Sequence, residues 1–381
     1  MPNLIYGNET LDALRDQVRR FVEDEVLPNG DAWEKTGMVP RDVLEKMGKL
    51  GVYGIRYPEK YGGAGLDTLA TVAFVEELSR STYAGFNVTV LVHTDMASPH
   101  LQRFGTDEQC ERYMPDIISG RKISGVAVTE PGGGSDVAAL TTKAVKRGNG
   151  WVLNGSKIFI TNGVHGDVFF VAARTDPDAK GSRGVSMFIV DKGTPGFKVS
   201  KQLDKMGWRS SDTAELVFED CELSGDALLG EENQGFYAIM KNFQNERIVI
   251  GAMSVSESQK AIDLTLEYVK DRAAFGATLW DKQAIRQRLA MLQAEVSAAR
   301  QLVYHSAWLD TQGLDATKEV SMVKALCGEL VNKVMYTCQQ FFGGYGYMKE
   351  YPIERMVRDA RILSVGGGAT EVMLEEVAKR M

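Results

Sequence analysis

The stretch that decides the fold is Ala127-Val-Thr-Glu-Pro-Gly-Gly-Gly-Ser-Asp136, which joins a short apolar segment to three consecutive glycines. Glycine has no Cβ, so such a loop lets backbone N–H groups come close to a ligand. Flat rings and phosphate oxygens are the usual ligands of that kind. A tight turn between two strands is the alternative, and the loop alone does not distinguish the two.

Length and composition indicate a globular chain with room for two or three domains. It has 381 residues, of which 44% are hydrophobic and 25% charged. The net charge of −7 argues against nucleic acid or an anionic membrane as the main partner. No apolar run approaches the roughly 18 residues that span a bilayer. The four cysteines and four histidines show no metal-ligand spacing, so we expect no metal site.

The N-terminus lacks a basic start followed by an apolar stretch. A secretory signal has both features, and no transit peptide is evident either. We therefore expect a cytoplasmic protein of the bacterial type.

The periodicity of the apolar residues changes twice along the chain. Helical stripes, of which Leu11–Val22 is the first, precede a region of short β-branched and aromatic runs, and the helical period then returns. The sequence thus predicts an N-terminal helical domain (1–120), a middle β-domain (121–232) and a C-terminal helical domain (233–381). Because helices and strands are segregated, the alternating dinucleotide-binding fold is excluded.

Two segments of the middle region have a distinct local pattern. The turn Arg147-Gly-Asn-Gly150 lies between two apolar runs and predicts a hairpin. Gly155–Gly163 encloses a strand that carries Phe159 and Thr161 on one face. Either a core strand or a strand that faces a ligand fits this second pattern.

Two more glycine clusters lie near the C-terminus. Gly343 and Gly344 interrupt a helical stretch, which indicates either a corner between two helices or a binding segment. Gly366–Gly368 precede a further helical stretch. Because the N-terminus of a helix favours negative charge, phosphate or carbonyl oxygen is a suitable ligand there.

Glu246 interrupts an apolar stripe. In the helix that begins near Phe236, Glu246 and Arg247 occupy the positions where the next apolar residues of the stripe would fall. Burying a carboxylate costs free energy, so a buried one is expected either to form an ion pair or to have a function. Two interpretations therefore remain: an ion pair with Arg247, or a functional carboxylate.

Together these blocks resemble the acyl-CoA dehydrogenase family. Ala127–Ala139 fits the first family motif and Gln340–Asp359 the second, and Ser211–Asp220, Ala227–Phe236 and Asp271–Gly276 match as well. The resemblance covers nearly the whole chain. It implies an α+β fold with an N-terminal all-α domain, a middle β-barrel-like domain and a C-terminal four-helix bundle, assembled as a homotetramer.

The resemblance also implies FAD between the β-domain and the C-terminal helices. The residues implied to bind it are Val126, Ala127, Val128, Thr129, Gly134, Ser135, Phe159, Ile160, Thr161, Arg272, Phe275, Gln283, Gln340, Phe341, Phe342, Gly343, Gly344, Ala369, Thr370 and Glu371. Of these, Arg272, Phe275, Gln283 and Gln340–Gly344 are implied to reach the FAD of a neighbouring subunit. The residues implied to contact the substrate are Ser135, Gln244, Arg247, Gly367 and Gly368.

The chain departs from the family pattern at the usual position of the catalytic base. Most members have a Glu where this chain has Gly367, preceded by a Tyr where it has Gly366. A minority, including long-chain and isovaleryl-CoA dehydrogenases, supply the base from the first helix of the C-terminal domain. The matching residue is Glu246, which the resemblance therefore implies to be catalytic. Ala369 is a second departure, since a hydroxyl residue is commoner there.

The activity implied is α,β-dehydrogenation of a medium-, long- or branched-chain acyl-CoA to the trans-2-enoyl-CoA, with electrons passing to electron-transfer flavoprotein. Gly366 and Gly367 are expected to widen the pocket near the reacting carbons. Glu130, inside the first glycine loop, is interpreted as structural. The alternatives are an acyl-CoA oxidase or a flavin monooxygenase on the same fold, or a catalytically inactive FAD-bearing scaffold.

Overall fold

The computed structural model describes residues 6–381, and its first part is helical. The α-helices are α1 (Glu9–Phe21), α2 (Gly30–Thr36), α3 (Arg41–Lys49), α4 (Thr68–Leu78), α5 (Ala84–Leu91), α6 (Pro99–Phe104) and α7 (Asp107–Ile118). Asn8 caps α1, because its side-chain oxygen accepts a hydrogen bond from the N–H of Leu11 at 2.9 Å. The buried face of α1 includes Leu11, Val18 and Phe21, which confirms the predicted stripe.

The middle domain is one sheet that bends around its own core. Its strands are β1 (Ser124–Ala127), β2 (Lys143–Arg147), β3 (Gly150–Thr161), β4 (Val168–Arg174), β5 (Val185–Asp191), β6 (Phe197–Gln202), β7 (Thr213–Leu223) and β8 (Leu228–Leu229). Their order is β6-β7-β3-β2-β4-β5-β8, and β1 pairs with β4 in parallel. Although β4 and β6 are not neighbours, the rings of Phe169 and Phe197 lie 5.2 Å apart. The sheet is therefore curved like a barrel.

The hairpin predicted in this domain is confirmed. Strands β2 and β3 are antiparallel, and Arg147 faces Gly150 across the turn. Gly148 adopts a φ of +58°, a left-handed conformation that glycine reaches without steric cost. Trp151, directly after the turn, enters the aromatic core of the sheet and contacts Phe188 at 5.2 Å between ring centroids.

The C-terminal domain is built on three long helices. Its elements are α8 (Gly235–Asp271), the short hairpin β9 (Ala273–Ala274) and β10 (Ala277–Thr278), α9 (Gln283–Thr311), α10 (Thr317–Phe342), α11 (Pro352–Ala360) and α12 (Thr370–Ala378). Helices α8, α9 and α10 pack against one another, and α12 covers α10. Helix α8 approaches α10 closely at Gly251, where a Cβ would collide with Val323. Within residues 6–381, no helix has the length and apolar character needed to cross a bilayer.

A buried helical segment, Ala84–Ala97, connects the three parts of the molecule; we call it the central helix. It consists of α5 and the π-helical turns Val92–Ala97 that follow it, and all its residues are buried. On one side, the side-chain amide of Asn162, just after β3, donates to the carbonyls of Thr89 and Ser124 at 3.0 Å each. On the other side, the Asn242 amide of α8 donates to the carbonyls of Asp95 and Met96.

His93 fixes the central helix to β1. Its Nδ1 accepts the N–H of Ser124 at 3.0 Å, while its Nε2 lies 2.9 Å from the carbonyl of Ile117 and donates to it. This arrangement requires the neutral ring, and burial lowers the pKa of His93 to about 4. The domains are therefore joined by polar contacts whose partners are mostly backbone groups.

The depressed pKa of His93 predicts acid sensitivity. Because the unfolded histidine takes up a proton near pH 6.5 and the folded one only near pH 4, folding should lose about 2 kcal/mol between pH 7 and pH 5 from this residue. A His93→Gln variant keeps one donor and one acceptor without titrating, so it should lose about 2 kcal/mol less over the same interval. Urea unfolding curves at both pH values test this; equal losses in the two proteins would contradict it.

Candidate active site

Glu246 lies inside the molecule on α8, one turn after Asn242. Only 6% of its surface is exposed, and its neighbours Asn242 and Asn245 are buried as well. The Asn245 side chain donates to the carbonyl of Asp95 at 2.8 Å and accepts a hydrogen bond from Arg56. Two amides of this helix face are therefore bound to the central helix, which fixes α8 in the turn that leads into Glu246.

The ion pair expected as one alternative does not form. Within the described residues, no lysine or arginine nitrogen lies within ion-pairing distance of the Glu246 carboxylate. Burial raises the pKa of Glu246 to about 8, although the nearby Arg247 guanidinium acts in the opposite direction. A carboxylate that titrates near neutral pH can take up a proton during a reaction at that pH.

Gly367 faces the same stretch of α8. A Cβ at Gly367 would collide with Cδ1 of Ile250, which lies one helical turn beyond Glu246. The Ile250 side chain thus fills space that a side chain at position 367 would take. The widening of the pocket expected from Gly367 is therefore reduced, because this isoleucine occupies part of the space.

The backbone of Gly367 has a free donor. The N–H groups of Val365 and Gly366 donate to the carbonyl of Ile362 at 2.9 and 2.8 Å. Among the hydrogen bonds of residues 6–381, none uses the N–H of Gly367. Gly367 is itself exposed, so this donor is available to a ligand.

The first glycine loop is a tight turn with open space above it. The Glu130 and Gly133 backbones exchange two hydrogen bonds, of 3.2 and 3.0 Å. A Cβ at Gly132 would meet no other atom, and one at Gly134 would meet only Thr129, at 3.6 Å. The chain itself does not need these glycines for packing, so their open side is accessible to a ligand.

Phe159 lies beside this loop in a strained conformation. Its φ is +62° and 66% of its surface is exposed, both unusual for an aromatic residue in a strand. It sits where the pairing of β3 with β7 shifts register between Lys157 and Ile160. The N–H of Ile158 donates to the carbonyl of Thr129 at 3.0 Å, so the loop and the bulge are adjacent. Such strain often accompanies a binding site.

Glu130 is structural, as predicted. Its carboxylate accepts hydrogen bonds from the N–H groups of Thr141 and Thr142, at 2.6 and 2.9 Å, and pairs with the buried Lys157 ammonium at 2.7 Å. Burial alone would raise the pKa of Glu130, but the Lys157 charge and the donors outweigh it and lower the pKa. Because its oxygens accept these hydrogen bonds and its pKa is lowered, this carboxylate cannot serve as a base at neutral pH.

The structure gathers a second group of predicted residues far from Glu246. Arg272 lies over the ring of Tyr345 at 5.7 Å, and Phe275 is 96% exposed at the tip of the β9–β10 hairpin. Gly343 and Gly344 are exposed where α10 ends. Helix α8 separates Glu246 from this group by 25 residues, or about 38 Å. The group therefore does not reach Glu246 of the same chain.

Three of the remaining predicted residues have side-chain partners within the chain. The Gln244 amide donates to the Thr317 hydroxyl at 2.9 Å, and Phe342 is buried against Tyr268 with 4.3 Å between ring centroids. The Thr370 hydroxyl donates to Glu329 at 2.6 Å. Others lie in the loops and strands already described or on exposed surfaces next to them: Val126, Ala127, Val128, Ser135, Ile160, Thr161, Gln283, Gln340, Phe341, Gly368, Ala369 and Glu371.

Comparison with known protein families decides the family. The models described as the N-terminal, middle and C-terminal domains of acyl-CoA dehydrogenase match residues 8–121, 125–221 and 233–381 in turn. The chain belongs to the acyl-CoA dehydrogenase family. It is accordingly an oxidoreductase of that family, as the sequence motifs predict.

Similar members of the family differ in the substrate that they are named for. The long-chain specific acyl-CoA dehydrogenase of Mus musculus is 41% identical over 97% of this chain and 86% of its own length. The isovaleryl-CoA dehydrogenase of Pongo abelii is 38% identical over 94% and 85%. The solved butyryl-CoA dehydrogenase from Megasphaera elsdenii has a TM-score of 0.95 and 34% identity, with 98% of each chain covered. Overall similarity therefore does not select a chain length.

A further solved structure is described as the FAD complex of PigA. It has a TM-score of 0.95 and 26% identity, again with 98% of each chain covered. The same backbone thus accommodates FAD in a distant neighbour.

Several residues that shape the site had no recognised signal in the sequence. Asn242 and Asn245 position α8, and Ile250 packs against Gly367. Lys324 of α10 donates hydrogen bonds to both ends of the segment that contains Gly367. The spacing Asn242, Asn245, Glu246 does carry a signal, because three polar residues at i, i+3 and i+4 share one face of a helix that is otherwise buried.

Proposed function

We propose that the protein dehydrogenates an acyl-CoA between its α- and β-carbons, with Glu246 as the base. The observation that carries this proposal is a buried carboxylate on α8 with no ion-pair partner among residues 6–381, one helical turn before the Ile250 side chain that Gly367 approaches, together with the unused N–H of Gly367. One group can accept a proton and the other can donate to a carbonyl. This is the pair that removal of a proton next to a thioester carbonyl requires.

Glu246 would take the proton from the α-carbon. The C–H bond breaks, the proton passes to a carboxylate oxygen, and the electron pair delocalises toward the thioester oxygen. The raised pKa of Glu246 favours this step, because a carboxylate kept from water is a stronger base than an exposed one. An acyl chain in the pocket would exclude water further and strengthen the same effect.

The Gly367 N–H would stabilise the negative charge that develops on the thioester oxygen. A backbone donor needs no side chain, so it remains when the family's usual glutamate at this position is replaced by glycine. Preset donors of this kind commonly contribute two to three powers of ten in rate, or about 3 kcal/mol.

We propose FAD as the cofactor, held by Val126–Thr129 on one side and Phe159–Thr161 on the other. Bound FAD supplies the acceptor for the hydride that leaves the β-carbon. Three features of the chain fit a large flat ligand: the open glycines, the exposed ring of Phe159 and its strained backbone. The central helix keeps this wall near Glu246, since its contacts at Thr89 and Asp95 are six residues, or about 9 Å, apart.

We further propose that the site is completed by a second copy of the chain within a tetramer. Arg272, Phe275 and the exposed glycines after α10 fit the family's cofactor contacts, yet about 38 Å of α8 separates them from Glu246. Only another subunit can bring them to the flavin that serves this Glu246. Electron-transfer flavoprotein is the proposed electron acceptor, on the basis of the family alone.

For the substrate, we propose a medium-, long- or branched-chain acyl-CoA. By the family resemblance, Gly366 stands where most members have a tyrosine next to the reacting carbons, whereas Ile250 occupies part of the space next to Gly367. The space that remains favours acyl-CoA substrates that are bulky beside the reacting carbons.

Replacing Glu246 with Gln should leave FAD bound but slow flavin reduction by acyl-CoA about 100-fold or more, because the amide cannot take the proton. Stopped-flow absorbance under anaerobic conditions measures this. Glu257→Gln is the matched control, since Glu257 is a second buried carboxylate of the same helix whose pKa is also raised by burial; it should stay within a few-fold of wild type.

The same traces, repeated in air, separate the alternatives. Flavin that stays bleached in air indicates a dehydrogenase, whereas rapid reoxidation would indicate an oxidase. Wild-type protein that never bleaches would indicate a scaffold. Full activity in Glu246→Gln would refute the assignment of the base.

A panel of straight acyl-CoAs from C4 to C16, together with branched ones, tests the substrate. We expect kcat/KM to be higher for medium, long or branched chains than for butyryl-CoA. Ile250→Val removes one methylene from the wall and should raise kcat/KM for branched substrates by a few-fold. A strong preference of the wild type for butyryl-CoA would contradict the proposal.

Hybrid oligomers test whether the site is shared. When one subunit carries Glu246→Gln and its partner carries Arg272→Ala, a shared site leaves one intact centre per pair and about half of the wild-type activity. The control hybrid pairs a Glu246→Gln, Arg272→Ala double variant with wild type, and it should be much less active. The reverse order of activities would show that each chain builds its own site.

A further inference from the structure

Lys324 is a lysine with no exposed surface in the middle of α10. Its ammonium donates to the carbonyl of Leu363 and to the carbonyl of Gly368, both at 2.8 Å. These two acceptors lie at the ends of the stretch Leu363–Gly368, which we call the glycine segment. One side chain thus fixes both ends of the segment that carries Gly367.

The glycine segment needs such a restraint. Gly367 and Gly368 have φ values of +66° and +105°, and Gly366 precedes them, so three adjacent residues lack the restriction that a side chain imposes. Gly367 is exposed and its N–H makes no hydrogen bond within the described chain. Without external contacts, the direction of this N–H would be poorly defined.

Burying an ammonium group is unfavourable unless its charge is paired or its N–H groups are hydrogen-bonded. Burial, and to a lesser extent the neighbouring Arg247 charge, lower the pKa of Lys324 to about 8. Within residues 6–381 no carboxylate lies within ion-pairing distance of its Nζ, so its partners are the two carbonyls. An apolar side chain would suit the interior of α10 better if packing were the only requirement.

We propose that Lys324 is a positioning residue for the reaction: it holds the glycine segment so that the N–H of Gly367 points at the thioester oxygen. The proposal rests on the function proposed above. Lys324 contacts neither substrate nor cofactor and acts through the backbone of the segment. The alternative is a purely structural role, in which Lys324 contributes to stability and leaves the polarisation of the thioester unchanged.

The test replaces Lys324 with Met, which keeps an unbranched side chain, one atom shorter, and removes its donors. Lys205→Met is the matched control, because Lys205 also donates to two protein oxygens, those of Ser211 and Thr213, but in the middle domain. Both variants lose two hydrogen bonds, so both should lose thermal stability. Only Lys324→Met should alter the site.

The first readout requires no turnover. A 3-thiaacyl-CoA loses its α-proton to the base but cannot be oxidised, and its enolate gives a long-wavelength charge-transfer band with oxidised flavin. We expect the band to weaken several-fold in Lys324→Met and to stay at wild-type strength in Lys205→Met. The rate of flavin reduction by acyl-CoA should fall about 10- to 100-fold with little change in KM.

The second readout is independent of the cofactor. Hydrogen–deuterium exchange of the flavin-free protein should be faster over the glycine segment in Lys324→Met than in wild type or Lys205→Met. Lys324→Gln keeps a donor on a shorter side chain, so its exchange rate over the glycine segment should be intermediate. If the Met variant does not fold, the Gln variant replaces it in both measurements.

An unchanged band in Lys324→Met or Lys324→Gln would overturn the proposal, even if stability fell. Failure of the proposed function looks different, because wild-type protein itself would then give neither bleaching nor a band. Unchanged exchange over the glycine segment would also overturn the proposal, whatever the activity of the wild type.

Discussion

The architecture of the site depends on a helix that is buried on every side. The central helix, Ala84–Ala97, receives Asn162 from the sheet and Asn242 from α8 through hydrogen bonds to its own backbone carbonyls. Carbonyls of a regular helix are normally occupied, and the π-helical turns after Leu91 loosen that pattern at the point where α8 docks. The distance between Glu246 and the wall proposed to hold FAD is thus set by one helix rather than by the loops beside that wall.

The order of helices and strands could be predicted from the sequence because most elements have one exposed face. The stripe of α1 and the turn at Gly148 are examples, and both are present in the structure. The central helix lacks such a signal, since a segment buried all round has no polar face to reveal its period. The curvature of the sheet likewise depends on packing. Phe169 and Phe197 are in contact although their strands are not neighbours, and no local sequence pattern predicts such a contact.

The residues of the site likewise divide into those that have a signal in the local sequence and those that do not. Glu246 was predictable because it breaks an apolar stripe, and its burial is confirmed. Its neighbours Asn242 and Asn245 were missed because their partners are carbonyls of a helix far away in sequence. Lys324 was missed for a related reason: a single lysine in a helix usually indicates a solvated face, and its acceptors follow it by 39 and 44 residues.

The contact between Ile250 and Gly367 also limits where this chain could place a carboxylate. A glutamate restored at position 367 would have to adopt a φ of +66° and would collide with Ile250. On the proposed assignment, losing Glu246 first would leave no base, and adding a carboxylate at position 367 first would strain the backbone there. A chain that used position 367 for its base would therefore need changes at position 250 and in the glycine segment before a change at Glu246.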